Sequence, residues 1–254
     1  MLTRDDLLHA LATIHVTAPV RAEEVTASTN AAGAQLAEEG APEWTLVSAG
    51  HQTEGRGRLG RTWEDVHGRA LLVSVVLRPA GIAPNQAGLL SLLTGASMAE
   101  AIREVTGRRV ACKWPNDLLW NDAKVGGVLL ESSVAAGELR YVIVGVGVNL
   151  DPPDGVEGAG GIGDTSLRDL LAAFVERFES VYDAVEPSFP ERVRIAWLPV
   201  ADTIMRVVEA TTADARTVTG RAVGLDDFGA LRLSTDSGEV KVGFGEIRHL
   251  GQRA

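Results

Sequence analysis

The chain has 254 residues, of which 45% are apolar and 23% charged, a composition that supports a buried core and excludes an intrinsically disordered protein. A formal charge of −10 without any long Lys/Arg run argues against nucleic acid and anionic lipid as general partners. The single cysteine, Cys112, excludes an intrachain disulfide and a four-thiolate zinc site. The start, Met1-Leu-Thr-Arg-Asp-Asp, runs into a mixed polar segment, and no stretch reaches the ~18 apolar residues of a membrane span, so the expectation is a cytoplasmic protein.

In chain order, Leu7, Leu8, Leu11 and Ile14 have helical spacing and predict a helix over 4–14. Ser28 is an N-cap candidate for a second helix that ends near Gly40, with Ser28-Thr29-Asn30 at its N-terminal mouth. Strands are predicted over 44–49 and 70–77, a long buried helix over 85–106 that ends at Gly107, and strands over 110–114, 124–132 and 139–150, with a turn at Asn121-Asp122. The Gly/Pro-rich run from Asp151 to Asp164 predicts a mobile surface loop, followed by helices over 166–184 and 189–198. From about Thr203 the pattern changes to short alternating runs, 216–223, 230–234 and 240–244, which predict a small β-barrel.

The segment His51-Gln-Thr-Glu-Gly-Arg-Gly-Arg-Leu-Gly-Arg-Thr-Trp63 concentrates arginines and glycines between two strand-like runs. Glycines let backbone amides approach a ligand, and a guanidinium matches carboxylate and phosphate oxygens, so the loop is suited to wrap an anion. Lys113 and Lys124 add further positive charge. On a regular strand Lys124, Gly126 and Val128 share a face, and Gly126 leaves room beside the ammonium; an exposed strand lysine beside a structural glycine pair is the alternative. In Gly145-Val-Gly-Val-Asn149 one face is bare, with Asn149 at its edge, which suits either a flat ligand or a close-packed helix. Ser28, Thr29 and Asn30 offer neutral donors and acceptors; in isolation the segment reads first as an ordinary N-cap, which can coexist with a ligand contact. Cys112 fits a small buried thiol, and the histidines at 9, 15, 51, 67 and 249 have no metal-ligand spacing, so no structural metal is expected; His51 and His67 flank the loop within reach of a ligand.

Taken together and in order, Gly55-Arg-Gly-Arg-Leu-Gly-Arg-Thr-Trp63, Lys113-Trp-Pro-Asn-Asp117, Lys124-Val-Gly-Gly-Val-Leu-Leu-Glu131 and Gly145-Val-Gly-Val-Asn-Leu150 resemble the catalytic domain of the biotin protein ligases over roughly residues 25–185. The resemblance implies an α+β fold: a mixed sheet flanked by helices, of the class II aminoacyl-tRNA synthetase and biotin ligase type, over 1–200, and a C-terminal SH3-like β-barrel over 201–254. It implies two steps: biotin and Mg²⁺-ATP form biotinyl-5'-AMP and pyrophosphate, and the adenylate then modifies a lysine of a biotin carboxyl carrier domain. By the same resemblance, Lys124 and Arg58 are catalytic. Ser28, Thr29, Asn30 and Gln52 hold the biotin ring, with Arg56, Gly57, Arg58, Lys124 and Gly126 also in the biotin site. Arg56, Arg58, Arg61, Trp63, Lys113, Asn116, Asp117 and Asn149 hold ATP or the adenylate, Trp63 against adenine rather than Trp114. Asp117 has several readings: a partner for Lys113, a Mg²⁺ contact, a group that receives the acceptor amine, or an exposed turn residue.

A winged helix-turn-helix needs ~60 residues, and only ~20 precede the first expected catalytic strand, so a ligase without a DNA-binding role is expected. Alternatives are a lipoate/octanoate-protein ligase, against which the arginine loop and Lys113-Trp-Pro-Asn-Asp117 argue, and a non-catalytic biotin or adenylate sensor, against which Lys124 and the three loop arginines argue. A P-loop nucleotide site is excluded by the absence of G-x-x-x-x-G-K-[ST].

Overall fold

The long apolar helix expected between the second and third strand groups anchors one layer of the fold, a computed structural model that describes residues 1–212, 216–243 and 245–250. In chain order the elements are α1 (Arg4–Thr13), β1 (Val20–Thr26), α2 (Thr29–Glu38), β2 (Leu46–Gln52), β3 (Ala70–Leu77), α3 (Gly88–Thr106), β4 (Ala111–Lys113), β5 (Asp117–Trp120), β6 (Ala123–Ala135), β7 (Glu138–Asn149), α4 (Leu167–Glu179) and α5 (Phe189–Trp197). The C-terminal part holds β8 (Val207–Thr212), β9 (Thr217–Leu225), β10 (Leu231–Thr235), β11 (Gly238–Val242) and β12 (Gly245–Leu250). The first seven strands form one mixed sheet in the order β1-β2-β3-β7-β6-β5-β4, with β1 and β2 parallel and the other pairs antiparallel. The last five form an antiparallel sheet, β11-β10-β9-β8-β12, the small β domain that the resemblance implied. The expected strand over 240–244 ends at Val242, and Phe244 lies outside the described residues.

Alternation along β3 and β7 sorts the layers. Leu71, Val73, Val75 and Leu77 of β3 and Val142, Val144, Val146 and Val148 of β7 join the large core under α1, α3, α4 and α5. The opposite face carries Ser74, Gly145 and Gly147, and α2 packs there through Ala37 against Val76, Tyr141 and Ile143. Two boundaries match elementary capping rules: Ser28 caps α2 through Ala31 N, and Gly107 closes α3 in the left-handed region at φ 72°.

Three expectations are corrected. β5 was not foreseen as a strand; it is only four residues long and pairs on both sides, with β4 and β6. β8 and β12 were also missed, since neither has strict alternation. The 151–164 run is irregular but held rather than loose. Arg69 pairs with Asp151 and Asp164, Ile162 is fully buried, and backbone hydrogen bonds join Lys124 N to Gly158 O and Gly160 N to Lys124 O.

The C-terminal sheet is fastened to the edge of the main one. Asp202 N donates to Cys112 O (2.8 Å), Trp114 N to Thr203 Oγ1 (2.9 Å) and the Trp114 indole N–H to Gly229 O (3.1 Å). Trp197, 1% exposed, ends α5 in the core just before this crossing. Trp197→Ala is expected to cost about 3–5 kcal/mol through the cavity it leaves, seen as a lower urea midpoint with little change in slope.

Candidate functional site

A cleft of about 310 Å³ opens on the face of the main sheet that α2 leaves uncovered, where the α2 N-terminus, the arginine loop, β4 to β7 and β12 meet. Of the residues expected in a site, Ser28, Thr29, Asn30, Gln52, Arg56, Gly57, Arg58, Arg61, Trp63, Lys113, Asn116, Asp117 and Lys124 all line it, and Gly126 and Asn149 do not.

Its neutral end is built on the first turn of α2. Thr29 N and Oγ1 both donate to Gln52 Oε1 (2.8 and 3.1 Å), so Gln52 at the end of β2 satisfies an amide that the helix leaves unpaired. The buried Ser74 hydroxyl donates to Asn30 Oδ1 (2.6 Å) and lies 2.9 Å from Thr29 Oγ1. Asn30 Nδ2 donates to Glu131 Oε2 (2.8 Å). Ser74 and Glu131, which hold Asn30 from behind the cleft lining, were not anticipated, nor were Glu246 and Arg248, which line it. A lone serine in the otherwise apolar Ala70–Leu77 run was the available signal, and Glu131 closes a motif already noted.

The cationic end is the arginine loop, a narrow hairpin closed by Trp63 N to Gly55 O (2.9 Å) and Gly57 N to Arg61 O (2.7 Å). A Cβ on Gly55 would lie 2.3 Å from Trp63 O, which is why glycine stands there. At the base, Asp65, whose side chain is fully buried, contacts His51 Nδ1 (2.8 Å) and accepts from Gln52 N (3.3 Å). His51 and His67 stack with ring centroids 5.5 Å apart and do not line the cleft, contrary to the expectation that they reach a ligand.

Each loop arginine is held. Arg56 Nη1 donates to Glu131 Oε1 (2.9 Å), Arg61 Nη2 lies 2.6 Å from Glu246 Oε1, and Arg58 donates to Asn116 Oδ1 and Gly245 O (3.2 Å each). Burial pulls the Arg58 guanidinium below its ordinary value, opposed by the negative charges of Glu246 and Asp117. Lys124 Nζ lies 2.6 Å from Asp117 Oδ1. An ion pair with Lys124 was not among the readings open for Asp117, which lies in β5 rather than in a turn and pairs with Lys124 instead of Lys113.

The glycine beside Lys124 is Gly127, not Gly126. In the β5 pairing, Leu119 faces Lys124 and Leu118 faces Gly126, so Val125 is an extra residue that flips the alternation. A Cβ on Gly127 would lie 3.6 Å from Lys124 Nζ, whereas one on Gly126 would strike Gly147 O at 2.7 Å. On β7, the bare face is occupied by the protein itself: a Cβ on Gly145 would fall 2.0 Å from Asn30 Oδ1, and one on Gly147 2.7 Å from the Trp63 ring. The close-packed helix and the site both explain these glycines, because α2 brings Asn30 over one of them. Trp63 Nε1 and Asn149 Oδ1 are buried without a partner among the described residues. Trp114 is core, 2% exposed, and burial pushes the Cys112 thiol up, which suits an inert side chain. Among the described residues no cluster of three or more His, Cys, Asp or Glu is placed to hold a metal.

The cleft thus brings neutral donors and acceptors and a group of cations to one lining. Residues 23–149 match the profile of the biotin/lipoate A/B protein ligase family, and residues 206–250 match the biotin protein ligase C terminal domain. The chain is 33% identical over 235 residues to the bifunctional ligase/repressor BirA of Bacillus subtilis (strain 168), covering 86% of this chain and 70% of the relative. It is 35% identical over 239 residues to the biotin--[acetyl-CoA-carboxylase] ligase of Paracoccus denitrificans, covering 87% and 97%. The fold superposes on the biotin protein ligase from Aquifex aeolicus in complex with biotin and ATP with a TM-score of 0.74 at 26% identity, covering 92% of this chain and 99% of that one. The chain belongs to the biotin/lipoate A/B protein ligase family and carries the C-terminal domain of the biotin protein ligases.

Proposed function

We propose that this protein is an ATP-dependent biotin-protein ligase that takes biotin and Mg²⁺-ATP to biotinyl-5'-AMP and pyrophosphate and transfers the biotinyl group to a lysine of a biotin carboxyl carrier domain. The observation that carries this reading is the division of one cleft into a neutral end, Ser28, Thr29, Asn30 and Gln52, and a cationic end, Arg56, Arg58, Arg61, Lys113 and Lys124. A ureido ring needs donors and acceptors without net charge, and a carboxylate meeting a triphosphate needs cations.

In the first step a carboxylate oxygen of biotin attacks the α-phosphorus, and the bond to the bridging oxygen breaks to release pyrophosphate. Two anions must approach, so we assign Lys124 and Arg58 to neutralise that approach and the charge that grows on the phosphoryl oxygens. The other loop arginines and Lys113 hold the phosphates, with Mg²⁺ entering as part of the nucleotide. Trp63 and Asn116 line the cleft and remain our assignments for the adenine and ribose end; Asn149, assigned there by the resemblance, is buried behind the lining, with its Oδ1 lacking a partner among the described residues. In the second step the lysine amine attacks the acyl carbon, AMP departs with the bonding pair, and the amine sheds a proton, for which Asp117 is the cleft carboxylate we assign. Arg58 and Arg61 tie the loop to β12 through Gly245 O and Glu246, which supports a loop that shields the mixed anhydride from water.

Biotin-dependent exchange of labelled pyrophosphate into ATP tests the first half-reaction, with lipoate and octanoate as parallel substrates; exchange with lipoate or octanoate alone would overturn the reading. Lys124→Ala is expected to lose exchange by ~10²-fold or more, the scale of one lost transition-state contact, with a urea midpoint near wild type because its side chain is 41% exposed. Wild-type turnover would remove Lys124 from the chemistry. Gly145→Ala is expected to weaken biotin binding by ~10-fold or more, since its Cβ displaces Asn30 at an overpacking cost of about 1–3 kcal/mol; titration calorimetry with biotin checks it.

A further inference from the structure

The two ends of the cleft share one carboxylate. Glu131 Oε2 accepts from Asn30 Nδ2 (2.8 Å) and Glu131 Oε1 accepts from Arg56 Nη1 (2.9 Å), so a single side chain on β6 joins the first turn of α2 to the arginine loop. We propose that Glu131 is a positioning residue that couples the ring-binding end of the cleft to the nucleotide-binding end, so that filling one tightens the other. The proposal rests on the biotin and ATP reading of the cleft.

The hydrogen-bond directions carry the inference. Asn30 Oδ1 is taken by the Ser74 hydroxyl, and its Nδ2 faces both Glu131 and Leu129 O (3.3 Å). Turning the amide over would set its oxygen against two acceptors, so Glu131 and Leu129 O together dictate which end of Asn30 is the donor. Gln52, Thr29, Ser74 and Asn30 form a continuous chain of contacts, and Glu131 extends it to Arg56. Arg56 in turn starts the turn that carries Arg58 and Arg61. Displacement of Asn30 is therefore transmitted to the loop through a carboxylate that both must share. Glutamate is also the side chain of the right length. Aspartate is shorter by one carbon–carbon bond, about 1.5 Å, and cannot reach both donors from the same backbone position. Glutamine keeps the shape but offers one acceptor and one donor, so it satisfies Asn30 or Arg56 and not both.

The test is calorimetric titration of biotin into wild type, Glu131→Gln and Glu131→Asp, alone and with a saturating non-hydrolysable ATP analogue bridged by methylene between the α- and β-phosphates. Wild type is expected to bind biotin ~10-fold more tightly with the analogue present, within the usual range of coupling between sites, and both variants to lose all but about twofold of that effect. In the same preparations without ligand, trypsin is expected to cut the loop ~5-fold faster in both variants than in wild type, since the loop has lost one anchor. Circular dichroism and the thermal midpoint, expected to be unchanged, show that the variants fold; the Glu131 side chain is 33% exposed, so neither substitution opens a core cavity. Wild-type coupling retained in Glu131→Gln, or a wild type whose biotin affinity ignores the analogue, would overturn the proposal while leaving the ligase reading intact. A wild type that binds no biotin would instead overturn that reading.

Discussion

Like charges gathered in a small cleft repel, and the site depends on how that repulsion is contained. Lys124, Arg56 and Arg61 each face a carboxylate, Asp117, Glu131 and Glu246, drawn from β5, β6 and β12. These pairs are partly exposed, so each contributes only about 0–1 kcal/mol to stability. Their effect is geometric. They hold the cations of a −10 protein in an ordered array.

Close approach is the second constraint, and it is met by removing side chains where the sheet meets its neighbours. Gly145 admits Asn30, Gly147 admits the Trp63 ring, and Gly127 leaves the space beside Lys124. A Cβ at Gly145 or Gly147 would collide with groups that line the cleft, whereas one at Gly127 would only fill space beside Lys124, so the first two serve packing and site geometry at once. The single extra residue in β6 decides which glycine of the Gly126-Gly127 pair lies beside the lysine.

Much of the architecture was legible because strong local signals agreed with one another. The Leu-rich run of α3 with its closing Gly107, the Ser28 cap and the uniformly apolar β3 each specify their element without help from distant residues. Short elements were less legible. β5 has four residues, too few for a period to register, and its strand character comes from pairing on both edges. Residues 151–164 look like a loop by composition, yet Arg69, just before β3 and beside the end of β7, and the backbone of Lys124 hold them.

The sequence by itself determined the chemical inventory: an arginine- and glycine-rich loop, two lysines in ordered motifs, a stripped strand face and a polar helix mouth, all recognisable because residue type and short spacing are local properties. Only the tertiary structure decided which of these groups meet. Lys124 chooses Asp117 because antiparallel pairing brings β5 beside β6, and Gly127 replaces Gly126 because a bulge shifts the face by one residue. Glu246 reaches Arg61 across 185 positions because the C-terminal sheet docks on the edge strands of the main one. Such partners are set by pairing register and domain docking, which are properties of the folded chain as a whole and leave no trace in the spacing of any one segment.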